Sequence, residues 1–153
     1  MLMSPTSRPA LIFDHVGIVV RDLEQGFQSI RAFLPITLTT DRFDDQRLGV
    51  SVQFVRDESG VVFELIAPIG SSSPVAKIAA SRTGVINQFA YCVENLSMAA
   101  DYFRSNGAIP TAAPKPAVAF GGAFVQFFLA PEGFIVELIE AAGFSHRFER
   151  IQP

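Results

Sequence analysis

The sequence contains few of the features that mark secreted, membrane-spanning or nucleic-acid-binding proteins. It has a single cysteine, Cys92, which excludes an internal disulfide and agrees with a reducing compartment. No apolar run approaches the roughly 20 residues that span a bilayer, and residues 1–9 lack the apolar core of a secretion signal. The net charge is −3, with no basic stripe. We therefore expect a cytoplasmic protein that binds neither membranes nor nucleic acid.

Apolar residues, in contrast, are abundant. They make up 49% of the 153 residues, whereas charged residues make up 18%. A chain of this length and composition can bury one sizeable core, so we expect a single domain.

The chain contains two similar halves. His15 in the apolar run FDHVGIVV aligns with Gln88 in INQFAYCV, 73 residues later (88 − 15). The segment Glu64-Leu65-Ile66 aligns with Glu137-Leu138-Ile139 at the same offset (137 − 64). A constant offset without gaps indicates two copies of one supersecondary unit.

Each half is predicted to contain one strand, one helix and then three strands. Asp22 and Asn95 are typical helix N-caps, and Pro35 ends the first helix. Between the halves, Ser73 and Pro74 are predicted to open a short helix. The other strands are expected around residues 36–40, 50–55, 61–66, 109, 118–128 and 134–140. One half alone would leave an apolar sheet face and open edges, so we predict an α+β fold in which the halves pack or pair, with the chemistry between them.

Four polar residues lie inside these apolar strands. His15 and Gln88 lie in the first strand of each half, and Glu64 and Glu137 lie in the last, each carboxylate on an aliphatic face. Burying a carboxylate is costly unless it is protonated, paired or bound to a cation, and none of these strands contains Lys or Arg. A divalent metal held by all four residues would satisfy them together.

Each of these residues also has a simpler explanation. A lone strand histidine such as His15 is more often a core or edge residue than a metal ligand. Glu64 can lie on a solvated face, and Gln88 can hydrogen-bond across a sheet. The repeat favours the metal site, because one offset relates both pairs and brings them to equivalent places around one centre.

The segments FDHVGIVVRDLE, VVFELIAP and GFIVELIE, doubled at a constant offset, resemble the vicinal oxygen chelate superfamily. This superfamily includes glyoxalase I, methylmalonyl-CoA epimerase, extradiol dioxygenases and bleomycin resistance proteins. The segments IAPIGSSSPVAKIAAS and PKPAVAFGG are most similar to methylmalonyl-CoA epimerase-like proteins. The resemblance covers residues 11–141 and implies two tandem βαβββ modules, 11–67 and 85–141, joined by a linker, 68–84. The modules would form a cupped, barrel-like mixed sheet around one metal, with residues 1–10 and 142–153 as terminal extensions.

The resemblance also implies a set of metal ligands, which are His15, Glu64, Gln88 and Glu137 in that order. The metal would be divalent, with Zn, Ni or Co expected. Two features depart from the epimerase pattern. Epimerases usually have histidine at the position of Gln88, and glutamine is common at that of Glu64, although the resulting set resembles the zinc ligands of some glyoxalase I enzymes. Epimerases also carry a glutamate base before the third strand of the first module, where this chain has Arg47 or Leu48.

The function that the resemblance implies is proton transfer next to a carbonyl, by an isomerase or epimerase with an acyl-CoA thioester as a possible substrate. The metal would polarise the carbonyl as a Lewis acid. Glu137 is the first candidate for the base, and Glu64 is its pseudo-symmetric partner. Asp45 is a further candidate from the loop that enters the third strand. A homodimer is also possible, since many relatives dimerise.

Three alternatives stay open within the superfamily. A glyoxalase I-like lyase agrees with the ligand set, although no glutathione signature is present. An extradiol dioxygenase needs two histidines and a carboxylate on iron, whereas this chain has only His15 and His146, and His146 lies beyond the second module. A metal-free binding or resistance protein usually lacks the ligand set. Bound metal, together with deuterium exchange into a substrate, would separate an enzyme from a binding protein.

Overall fold

The computed structural model describes residues 7–83 and 85–153. These residues form ten strands, three α-helices and one 3-10 helix. The strands are β1 (Ile12–Val19), β2 (Ile36–Asp45), β3 (Val50–Asp57), β4 (Val62–Pro68), β5 (Ile86–Cys92), β6 (Ile109–Pro110), β7 (Lys115–Pro116), β8 (Phe124–Leu129), β9 (Ile135–Ile139) and β10 (Glu149–Arg150). The helices are α1 (Leu23–Phe33), α2 (Ala76–Ser81) and α3 (Leu96–Ser105), with the 3-10 helix at Val118–Phe120. None of the described helices is long and apolar enough to cross a membrane.

These strands form one mixed sheet. Their order along it is β10-β2-β3-β4-β1-β5-β9-β8-β6, and β7 pairs with β8. Strands β1 and β4 are parallel, as are β5 and β9, whereas the other pairs are antiparallel. The antiparallel pair β1–β5 joins the two halves at the centre. This topology confirms the predicted α+β fold, in which two βαβββ modules form one curled sheet.

The hydrophobic core is divided between the two faces of the sheet. On the outer face, residues of α1 pack with Val55 and Leu65 of the first module, and residues of α3 pack with Phe128 and Leu138 of the second. A third cluster contains residues of both modules, because the alternate side chains of the same strands point to the inner face. The inner face is therefore where the two modules share one core.

The two longer helices begin at the predicted caps. Oδ1 of Asp22 accepts the N–H of Gln25 at 2.8 Å, and Oδ1 of Asn95 accepts the N–H of Met98 at 3.0 Å. Each cap satisfies an amide that has no partner within the first turn. Helix α1 ends at Phe33, before Pro35, as predicted.

Two connecting segments and the C-terminal tail differ from the prediction. Helix α2 begins at Ala76, after the predicted start, and Oγ of Ser73 accepts the N–H of Val75 at 3.4 Å in the preceding turn. The strand expected over residues 118–128 begins only at Phe124, because residues 118–120 form the 3-10 helix and Gly121 and Gly122 adopt φ of 64° and 88°. Such angles suit a turn and not a strand. The tail, for which no partner was predicted, adds β10 to the edge of β2.

Candidate metal centre

Glu64 and Gln88 flank the same residue of β1. Gly17 pairs with Glu64 of β4 and with Gln88 of β5, so the three residues form one row across the sheet. The side chain of Gln88 lies over Gly17, since a Cβ atom at position 17 would be 2.3 Å from Cδ of Gln88. Nδ2 of Asn87 donates to Oε1 of Gln88 at 2.6 Å and holds the amide in this position. Because Gly17 has no side chain, the amide of Gln88 can occupy the space above it.

His15 and Glu137 flank Ala90 in the adjacent row. Ala90 of β5 pairs with His15 of β1 and with Glu137 of β9, and it is fully buried. Ala90 has the position in the second module that Gly17 has in the first, 73 residues earlier (90 − 17). Each row therefore contains a small residue between two predicted ligands, and the repeat relates one row to the other.

The imidazole of His15 lies between the two carboxylates. His15 Nε2 is 2.9 Å from Oε2 of Glu64 and 3.4 Å from Oε1 of Glu137, and all three side chains are buried. Neither approach has the angles of a hydrogen bond, so His15 Nε2 and Glu137 Oε1 have no hydrogen-bond partner among the described residues. Buried polar atoms rarely lack a partner. A cation between these atoms would satisfy both.

The arrangement suits a divalent metal. Histidine nitrogen and carboxylate oxygen bind zinc at about 2.0–2.2 Å, so neighbouring ligand atoms of one ion lie about 3–3.5 Å apart. The separations of 2.9 and 3.4 Å agree with that spacing. With Gln88, the donors are one imidazole, two carboxylates and one amide oxygen, which fits a divalent metal such as Zn, Ni or Co.

Burial and charge set the protonation of this cluster. Burial raises the pKa of Glu137 to about 7, while His15 acts in the opposite direction and the Glu64 carboxylate adds to the increase. Burial alone would lower the pKa of His15, but the carboxylates of Glu64 and Asp14 outweigh it and raise the pKa above its ordinary value. In the metal-free site, a proton on His15 therefore offsets the carboxylate charge, and a bound metal would replace that proton.

The structure adds Asp14 and His146, which were not predicted as parts of the site. Oδ2 of Asp14 accepts from Nδ1 of His15 at 2.7 Å and from Nε2 of His146 at 2.8 Å. Burial alone would raise the pKa of Asp14, but the hydrogen bonds from His146 and His15 hold it well below its usual range. Asp14 is thus an ionised carboxylate that orients the ring of His15.

A β-bulge brings Asp14 to the side of His15. The pairing of β1 with β5 shifts between Phe13 and His15, so Asp14 is an extra residue in β1. In a regular strand, alternate side chains share a face, so a regular β1 would place Phe13 on the face of His15. The bulge removes this alternation, and Phe13 is 46% exposed while His15 is fully buried.

Asp45, the further candidate base, does not belong to the cluster of His15, Glu64 and Glu137. It lies in the wall of a cavity next to that cluster. Its Oδ1 accepts the N–H of Leu48 at 3.1 Å, and its Oδ2 accepts the N–H of Val118 at 2.9 Å. Asp45 therefore joins the β2–β3 turn of the first module to the 3-10 helix of the second. Because both oxygens accept backbone hydrogen bonds, this geometry favours a structural role.

A cavity of about 400 Å³ opens onto Glu64, Gln88 and Glu137. Lys115 is the only lysine or arginine among the described residues that line it. His15 does not line the cavity and lies buried behind the carboxylates. Most other lining side chains are aliphatic or aromatic, including Leu48, Val52, Ile66, Ile78, Val125 and Phe127. The cavity thus offers oxygen donors at one end of an apolar chamber.

A model of one protein family matches most of the chain. It is described as the glyoxalase/bleomycin resistance protein/dioxygenase superfamily, and it matches residues 14–127. The matched region includes His15, Glu64 and Gln88 and ends before Glu137. No curated protein matches the chain in sequence.

Several solved structures are similar over nearly the whole chain. Methylmalonyl-CoA epimerase from Mycobacterium tuberculosis is 25% identical with a TM-score of 0.70, over 90% of this chain and 92% of that one. A hypothetical protein from Bacillus halodurans C-125 is 23% identical with a TM-score of 0.74, over 90% and 99%. A variant of Streptomyces coelicolor methylmalonyl-CoA epimerase, in complex with 2-nitronate-propionyl-CoA, is 21% identical with a TM-score of 0.71, over 90% and 100%. The last two similarities show a common fold.

Proposed function

The chain belongs to the glyoxalase/bleomycin resistance protein/dioxygenase superfamily, and on this basis we propose that it is a metal-dependent isomerase or epimerase that moves a proton next to a carbonyl. One observation carries this proposal. Nε2 of His15 and the carboxylates of Glu64 and Glu137 converge at one end of an apolar cavity, and His15 Nε2 and Glu137 Oε1 have no hydrogen-bond partner among the described residues. A binding protein without metal would have no need of such a costly cluster.

His15, Glu64, Gln88 and Glu137 would hold the metal, with Zn, Ni or Co as the expected ions. When bound, the metal supplies Lewis-acid polarisation of a carbonyl oxygen, worth several kcal/mol of charge stabilisation. The three ligands that line the cavity come from β4, β5 and β9, so the sheet itself fixes their separation. The mainly apolar walls would limit the water around the place where an enolate would form.

Glu137 is the proposed base. Its Oε1 has no hydrogen-bond partner among the described residues, and its carboxyl lines the cavity. It would take the proton from the carbon next to the carbonyl and return a proton to that carbon or to its neighbour. Glu64 is the alternative base, whereas the hydrogen bonds of Asp45 leave that carboxylate less free to act.

An acyl-CoA thioester is the proposed substrate class. The mainly aliphatic cavity suits a short acyl chain, and Lys115 places one positive charge on its wall. The similarity to methylmalonyl-CoA epimerase from Mycobacterium tuberculosis and to an epimerase structure that holds 2-nitronate-propionyl-CoA supports the same class. The site would then hold the thioester carbonyl near the carboxylates and leave the longer CoA portion towards solvent.

Metal content and deuterium exchange together test this function. Elemental analysis of untagged protein, before and after dialysis against Zn, Ni or Co, should give about one ion per chain, and His15→Ala should lose it. The metal-loaded protein should then exchange deuterium from D2O into methylmalonyl-CoA or another acyl-CoA with an acidic α-proton. Asp101→Asn, on the exposed surface of α3, is the control. Failure to bind any of the three metals would contradict the proposal, and activity only on a glutathione hemithioacetal would instead favour a glyoxalase I-like lyase.

A further inference from the structure

We propose that the C-terminal segment, residues 142–153, helps to position a ligand of the proposed metal site. His146 of this segment holds Asp14, and Asp14 in turn holds His15. The inference rests on the metal site proposed above. His146 lies outside the repeated modules and is not one of the four proposed ligands.

The C-terminal segment returns from the second module to the first. After β9 of the second module, the chain continues to β10, which pairs with β2 through Glu149–Thr39 and Arg150–Leu38. Between these strands, Phe144, His146 and Phe148 are partly buried, while the residues between them are exposed. The alternation places one face of the segment against the shared inner core.

Aromatic rings fix the position of His146. Its ring centroid is 4.2 Å from that of Phe54, 5.5 Å from that of Phe120 and 5.1 Å from that of Phe144. Only 7% of its side chain is exposed. These contacts come from β3, from the 3-10 helix and from the segment itself, so His146 has little freedom to turn away from Asp14.

A single carboxylate oxygen joins His146 to the proposed ligand. Oδ2 of Asp14 accepts from His146 Nε2 at 2.8 Å and from His15 Nδ1 at 2.7 Å. When Nδ1 of His15 donates to Asp14, Nε2 is the nitrogen left for a metal. His146 holds the carboxylate at this angle and covers it from water, and it thereby fixes both the tautomer and the orientation of the ligand.

Loss of a residue that hydrogen-bonds to a metal ligand typically weakens metal binding by about 10–100-fold. Asp14 is the direct partner of His15 and His146 acts through it, so we expect His146→Phe, which keeps a packed ring but has no donor, to weaken zinc affinity by about 10-fold, at the lower end of this range. His146→Gln keeps an N–H donor that can reach Asp14, and it should remain much closer to wild type. His146 is a positioning residue, so the comparison of these two variants separates its hydrogen bond from its packing.

Zinc titration by calorimetry is the test, with the absorption spectrum of the cobalt-loaded protein as a second measurement. Phe148→Leu is the packing control, because it disturbs the same aromatic group without touching Asp14, and it should bind zinc as wild type does. In a double-mutant cycle, Asp14→Ala and His146→Phe should be strongly non-additive, because alanine at position 14 has already removed the oxygen to which His146 donates. The cobalt spectrum should change in His146→Phe and not in Phe148→Leu.

The outcomes separate this inference from the proposed function. Zinc binding by His146→Phe equal to wild type, or additive effects of the two changes, would overturn the inference and leave the proposed metal site standing. A second zinc per chain that disappears in His146→Phe would also overturn it, because Asp14 and His146 would then bind metal themselves. A wild-type protein that binds no zinc, nickel or cobalt would overturn both.

Discussion

Asp14 and Asn87 are equivalent residues of the two modules, and each forms a hydrogen bond with the side chain of the residue that follows it. Asp14 Oδ2 accepts from Nδ1 of His15 at 2.7 Å, and Asn87 Nδ2 donates to Oε1 of Gln88 at 2.6 Å. Both lie at irregularities in the β1–β5 pairing, where one strand has a residue without a partner. A bulge can bring consecutive side chains together, which a regular strand does not allow. Each module thus provides both a proposed ligand and the neighbour that orients it.

Asn87→Ala should weaken metal binding without disturbing the fold. The change removes the donor to Gln88 Oε1 and leaves the amide free to rotate. Loss of a residue that hydrogen-bonds to a metal ligand typically weakens metal binding by about 10–100-fold, and we expect zinc affinity to fall by about 10-fold. Calorimetric titration measures the effect. Asn106→Ala, at the exposed end of α3, is the matched control and should behave as wild type. Unchanged zinc affinity in Asn87→Ala would show that Asn87 only lines the cavity.

Gly17→Ala should destabilise the protein by forcing Gln88 to move. The new Cβ would lie 2.3 Å from Cδ of Gln88. Overpacking typically costs about 1–3 kcal/mol in the free energy of unfolding, and we expect a cost at the lower end because the end of the Gln88 side chain can move into the cavity. Urea unfolding of the metal-free protein measures this change in the free energy of unfolding. The double variant Gly17→Ala/Gln88→Ala removes the obstacle, so it should regain stability while its zinc affinity stays low. If the double variant were as unstable as Gly17→Ala, contact with Gln88 would not be the cause of the lower stability.

The repeat in the sequence explains why the fold could be predicted, and why His15, Glu64, Gln88 and Glu137 were expected to lie close together. One offset related His15 to Gln88 and Glu64 to Glu137, and the β1–β4, β1–β5 and β5–β9 pairings convert that offset into two rows around one centre. Asp14 was not predicted because strict alternation places it on the face opposite His15, and a bulge has no clear signal in the sequence. His146 was not predicted because the C-terminal segment has no counterpart in the repeat.

Glu137→Gln should abolish most proton exchange, whereas Glu64→Gln should retain more of it. General-base catalysis typically contributes about 10²–10⁴-fold, so we expect a loss of that size when the carboxylate of Glu137 becomes an amide. Glutamine at position 64 keeps an oxygen ligand, so Glu64→Gln should mainly weaken metal binding. Deuterium exchange at saturating metal separates the two effects. The opposite ranking would assign the base to Glu64.

Asp45→Ala tests whether this carboxylate acts as a base or joins the modules. The change leaves the N–H groups of Leu48 and Val118 without their acceptor, and loss of one such hydrogen bond typically costs about 0.5–1.5 kcal/mol in unfolding free energy. The 3-10 helix that it releases carries Phe120, whose ring stacks on His15 at 6.0 Å and 18°. We therefore expect lower stability, while exchange per folded molecule should fall far less than in Glu137→Gln. Asp44→Ala, at the neighbouring exposed carboxylate, is the control for both measurements. If folded Asp45→Ala lost as much exchange as Glu137→Gln, Asp45 would be the second base that an epimerase needs to act on both faces of its substrate.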